Sequence, residues 1–167
     1  MESVAESIIV NAPIDRVYQQ WTRIEDFPKF MPAVRELHRI DETHFHWRVE
    51  RGGREYESTF QVVLRIPERR IAWRTISGSE SSGVVCFAAE LGQKTSVTFK
   101  MKYVEGAGWQ SATALGKRLK SRLGNFKALI EAAPFAASHP AFANPRPTLT
   151  HFPAAALFKT ASHTSTS

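Results

Sequence analysis

The chain has one cysteine, Cys86, so no intrachain disulfide can form. That fits a reducing compartment. No segment approaches the ~20 consecutive apolar residues that a membrane-spanning helix needs. The first residues include Glu2 and Glu6, where a secretory leader would carry basic and then apolar residues. A cytoplasmic address is the expectation. No glycine-rich phosphate loop and no nucleophile elbow occurs, and Cys86 has no evident histidine partner, so nucleotide chemistry and covalent catalysis find no support. His44 and His46 share a strand face without a third ligand nearby, so no metal and no cofactor is expected. Acidic residues are missing from one end. Residues 134–167 hold Arg146 and Lys159 of the 22 basic residues and none of the 16 acidic ones. The same stretch has five of the nine prolines, no glycine, and a Thr/Ser-rich ending. This composition predicts a domain over residues 1–133 followed by a disordered tail over 134–167. The net charge of +6 is too mild to indicate nucleic acid.

What is present is strand periodicity. Residues 3–11 are rich in β-branched side chains and read as a first strand. Pro13 opens a helix to Thr22, with Val17 and Trp21 four apart. A second short helical segment covers 24–31, around Phe27, Phe30 and Met31, and Pro32 closes it. Strands follow over 34–41, 44–51, 54–66, 69–77, 84–90 and 95–103. Gly52-Gly53 is a strong hairpin signal. In the 44–51 strand Phe45, Trp47 and Val49 share a face. In the 54–66 strand Tyr56, Phe60, Val62, Leu64 and Ile66 are in phase. Turns every 8–12 residues mark an antiparallel meander. Beyond Gly106 and Gly108 the period becomes helical, with Leu115, Leu119, Leu123, Phe126 and Ile130 on one stripe. Such a helix lays its stripe on the apolar face of the sheet.

Several motifs in order carry a family resemblance: residues 10–18 (VNAPIDRVY) with Trp21, residues 27–31 (FPKFM), His46-Trp47, residues 70–74 (RIAWR), and Gly83-Val84-Val85 with Phe87. Together they resemble the polyketide cyclase/dehydrase branch of the START-like (SRPBCC) superfamily, with the coenzyme-Q-binding START proteins as near named relatives. The resemblance covers about residues 3–132. It implies an α+β helix-grip fold: a curved antiparallel sheet of about seven strands around a long C-terminal helix, with two short helices after the first strand. It implies no single activity, since lipid carriers, hormone receptors, cyclases and hydrolases share this scaffold.

A sheet bent around one helix encloses a hollow. Its expected lining is Phe27, Phe30 and Met31 from the short helices, Trp47, Tyr56, Phe60, Trp73, Phe87, Phe99, Met101 and Tyr103 from the strands, and Leu115 and Leu119 from the last helix. The inward phase carries Tyr56, Ser58, Thr75 and Tyr103 but no Asp, Glu or His, and the hollow is expected to be free of ionisable groups. Acid–base catalysis needs a titratable group within reach of the substrate. The leading reading is therefore binding or transport of a small hydrophobic or aromatic ligand, such as a lipid, quinone or polyketide-like molecule, with catalysis disfavoured. An aromatase/cyclase-dehydratase enzyme is the second reading. The third rests on Lys117, Arg118, Lys120, Arg122 and Lys127, read as the solvent face of the last helix. They would dock on an anionic membrane, a ribosome, RNA or a protein. Composition alone leaves the oligomeric state open.

Overall fold

A computed structural model describes residues 1–104, 106 and 111–132. The proposed tail over 134–167 and most of the loop before the last helix lie outside the described residues. Seven strands form one antiparallel sheet: β1 (Glu2–Val10), β2 (Val34–Arg39), β3 (His44–Arg51), β4 (Arg54–Ile66), β5 (Arg70–Ser77), β6 (Ser81–Glu90) and β7 (Lys94–Tyr103). Their spatial order is β1-β7-β6-β5-β4-β3-β2. β2 to β7 are thus a continuous meander, and β1 pairs with β7 over its whole length. Between β1 and β2 the chain forms α1 (Ile14–Thr22), a 3-10 turn (Ile24–Asp26) and α2 (Phe27–Phe30). The last helix, α3 (Ala112–Glu131), packs against β1 and α2. This is the helix-grip architecture.

Alternation sets the faces. In β7, Val97, Phe99, Met101 and Tyr103 are all buried, while Lys100 and Lys102 between them are exposed. Helical period does the same for α3, whose buried residues are Leu115, Gly116, Leu119, Leu123, Phe126 and Ile130. Ser111 caps that helix, its side chain accepting a hydrogen bond from the Ala114 N–H at 3.3 Å. Gly116 is a close-approach residue: a Cβ there would lie 3.3 Å from both Val4 and Glu6 of β1. The core converges on Trp21, whose ring sits 5.0 Å from Phe126 and 5.7 Å from Phe30, with Phe87 and Phe99 both at 6.2 Å. Aromatic rings at these separations interact edge-to-face or tilted.

Two expectations about the strands are corrected. β6 begins at Ser81, three residues before the expected 84, and takes in Ser81, Ser82 and Gly83 from between the two expected strands. Ser81 is held there by Thr75: the Ser81 N–H donates to Thr75 Oγ1, which donates back to the Ser81 carbonyl, both at 2.6 Å. Gly83 lets this strand pass under Trp73, since a Cβ at Gly83 would come within 2.6 Å of that ring. The second correction concerns β4. Its pairing with β5 shifts between Val62 and Leu64, leaving Val63 as a bulge. A bulge inverts the facing of everything beyond it. Leu64 and Ile66, expected in phase with Val62, are therefore 38% and 39% exposed.

Candidate functional site

The concave side of the sheet, α3 and the short helices surround a cavity of about 140 Å³. Its walls are mostly aromatic and aliphatic. Trp47, Phe60, Trp73, Phe99 and Met101 contribute from the strands, Leu115 and Leu119 from α3, and Phe27 and Met31 from the α2 region. These nine expected lining residues are brought together. The other four lie elsewhere. Phe30 is fully buried in contact with Trp21 and Phe126. Phe87 packs between Tyr18 and Trp21, on the α1 side of the sheet. Tyr103 is fully buried at the end of β7. Tyr56 lies under Arg51, whose guanidinium carbon is 4.4 Å from the ring centre.

Lining residues not expected from the sequence include Trp21, Ile24, Leu37, Phe45 and Ile71. Trp21 and Phe45 had a readable signal, since each lay in phase with residues already assigned inward. Thr22 and Thr75 supply hydroxyls, and both donate into the protein: Thr22 to the Gln19 carbonyl at 2.8 Å, Thr75 to that of Ser81.

The expectation of a hollow without ionisable groups is overturned. No Asp, Glu or His occurs among the described lining residues, but Arg39, Arg65 and Arg122 do. Arg39 and Arg65 are exposed and stand at the rim. Arg39 lies in phase with Leu37 and places its guanidinium 5.4 Å from the Phe45 ring centre. Arg65 is turned inward by the bulge at Val63, which pairs it with Ile71. Arg122 is half-buried on α3. Next to the cavity lies a smaller void of about 30 Å³, sharing Met31, Trp47, Leu115 and Arg122 and adding Arg51 and Arg118. Burial, then Arg118, then Arg51 push the Arg122 guanidinium below its ordinary pKa. Arg51 is lowered too, chiefly by burial, with Tyr56 opposing the effect and Arg118 adding to it.

The basic set on α3 therefore does not form one solvent face. Lys117 and Lys120 are exposed. Lys127 donates to the Ile9 carbonyl at 2.8 Å and to Glu131 Oε2 at 2.7 Å. Arg118 and Arg122, one turn apart, turn toward β3 and the voids. The concave face does carry carboxylates, but on β1: Glu2 and Glu6 alternate with Val4 and Ile8 as half-buried residues, and Glu6 faces Gly116. Neither lines a void. The carboxylates of β2 to β4 are paired outward. Arg48 donates to Glu36 at 2.7 Å, Arg35 to Glu50 at 2.9 Å, and His46 lies 2.9 Å from Glu57. His44 lies 2.9 Å from Asp41, and no metal-binding cluster occurs among the described residues. Within the same residues no helix is long and apolar enough to cross a membrane.

Comparison with known proteins agrees with this architecture. The family model described as "Polyketide cyclase / dehydrase and lipid transport" matches residues 10–128. An uncharacterized 17.2 kDa protein from the melC2-rnhH intergenic region of Streptomyces lincolnensis is 33% identical over 136 residues, covering 78% of this chain and 91% of that one. A START superfamily protein from Mycobacterium smegmatis superposes with a TM-score of 0.68 at 11% identity, over 78% of this chain and 97% of its own. The Zhui aromatase/cyclase of a Streptomyces species does so with a TM-score of 0.60 at 17% identity, over 81% and 97%. At those identities the two structures share the fold alone. The chain belongs, by its matched sequence over residues 10–128, to the polyketide cyclase/dehydrase and lipid transport family.

Proposed function

We propose that the protein binds and carries a small apolar or aromatic guest between the sheet and α3, and does not transform it. The observation that supports this is the composition of the wall: aromatic and aliphatic side chains with no Asp, Glu or His among the described lining residues. A cyclase or dehydratase must move protons, and arginine stays protonated, so it can orient or polarise a substrate without acting as a base. The two tyrosines expected at the site, Tyr56 and Tyr103, do not line the cavity. A cavity of about 140 Å³ is on the scale of one that admits a benzene-sized molecule, roughly 150 Å³. Without rearrangement it suits one ring or a short acyl chain. A multi-ring guest requires α2 and its flanks to move. Lys117 and Lys120 each contribute about 1 kcal/mol near anionic lipid, which supports only transient contact with a bilayer. A cytoplasmic address goes with this reading and rests on the lone, unbridged Cys86.

Three of the four tryptophans, Trp21, Trp47 and Trp73, line the cavity, so tryptophan fluorescence reports on occupancy. Titration with single-ring quinones and medium-chain lipids is expected to give a saturable change. Polycyclic aromatics should bind more weakly. No saturable response to any of them would reject the carrier reading. Conversion of a linear poly-β-ketone to a cyclised product would establish the cyclase instead.

A further inference from the structure

Two arginines of α3 stand at the smaller void without an ion-pairing role in the fold. Arg118 and Arg122 have no carboxylate partner among the described residues, and the nearby acids Glu36, Glu50 and Glu57 are paired on the other face of the sheet. Glu6 lies across α3 from them, beside Gly116, only two residues before Arg118 and so on the opposite side of the helix. Arg51 reaches the same void from the end of β3, in phase with Phe45, Trp47 and Val49. Three guanidinium groups thus converge on one small void that opens against an apolar cavity. The partial burial of Arg118 and Arg122 and the repulsion between them are costs that a bound anion would relieve. The void, at about 30 Å³, has room for about two water-sized atoms, the scale of the two oxygens of a carboxylate. Arginine forks match that geometry.

We propose that Arg51, Arg118 and Arg122 form a carboxylate-binding subsite at one end of the cavity. The natural guest is then an amphiphile, with a single ring or a short acyl chain in the apolar cavity and its carboxylate held between β3 and α3. This rests on the carrier reading and narrows it to one ligand class.

The test compares octanoate, 1-octanol and octyl phosphate on the full chain at neutral pH, read by tryptophan fluorescence and by calorimetry. The wild type is expected to prefer octanoate to 1-octanol by at least about tenfold, the preference expected of a charge-assisted hydrogen bond. In Arg122→Met and, separately, Arg118→Gln, that preference should fall to within about twofold, while Arg122→Lys should keep part of it. Thermal melts of each variant show whether it is folded. Equal binding of octanoate and 1-octanol by the wild type overturns the subsite and leaves the carrier reading standing. Binding of neither overturns both. Stronger binding of octyl phosphate than of octanoate overturns the assignment to carboxylate, as does a preference that survives in folded Arg118→Gln and Arg122→Met.

Discussion

Single residues decide most of the local geometry, and Asp41 shows how. Its carboxylate closes the β2–β3 turn, accepting from the Thr43 N–H at 2.9 Å and the His44 N–H at 2.8 Å, with the His44 ring 2.9 Å away. The hydrogen bond from Thr43 is the largest cause holding the Asp41 pKa down to about 2. The folded value lies below that of an unfolded aspartate, roughly 3.9. Its contribution to stability is therefore complete above about pH 4 and disappears as the pH falls toward 2. An NMR titration of the Asp41 carboxyl carbon should show a midpoint near 2, and Asp41→Ala should flatten the acid limb of the stability curve in that window. A midpoint near 4 would remove this account of the turn. The sequence places a break between the strands at 34–41 and 44–51. The bonds that fix it were not legible, because Asp, Glu and Thr are ordinary turn residues with several conformations open to them.

At the scale of elements, period was readable and phase was not always so. The alternation in β7 and the stripe of α3 were legible because every buried side chain there is apolar, from Val97 to Tyr103 and from Leu115 to Ile130. β4 defeated the same reasoning beyond Val62. Val63, Leu64 and Ile66 are all apolar, so nothing in the residue types marked the bulge that turns Leu64 and Ile66 outward and Arg65 inward. This has a measurable consequence. Leu64→Ser and Ile66→Ser should each change stability by no more than about 0.5 kcal/mol, as exposed substitutions do. Phe126→Ala, at a fully buried position, should cost about 3–5 kcal/mol. Chemical denaturation distinguishes the two classes. A loss of several kcal/mol at Leu64 would mean that β4 alternates without interruption. The arginines were missed for a related reason. Arg51 and Arg39 each sit in phase with inward apolar residues, yet a long charged side chain is by default assigned to water. Arg118 and Arg122 sat at the margin of an apolar stripe, where the charge pattern alone suggested a solvated face.

At the largest scale the described unit is a sheet that grips one helix, and its order of elements was legible from the motifs and turns together. The described unit, Met1–Ala132, contains its own core around Trp21. A chain ending at Ala132 is therefore expected to melt in one cooperative transition within a few degrees of the full chain. Loss of the transition in that truncation would show that residues 133–167 are needed for folding. The cavity's contents were the least legible part, because its lining is drawn from β2 to β5, β7 and all three helical regions, and no local pattern reports how such distant segments converge. The converging guanidinium groups have one consequence for chemistry. A positive charge beside an oily chamber offsets part of the desolvation that would otherwise make a phenol or enol placed there a weaker acid than in water.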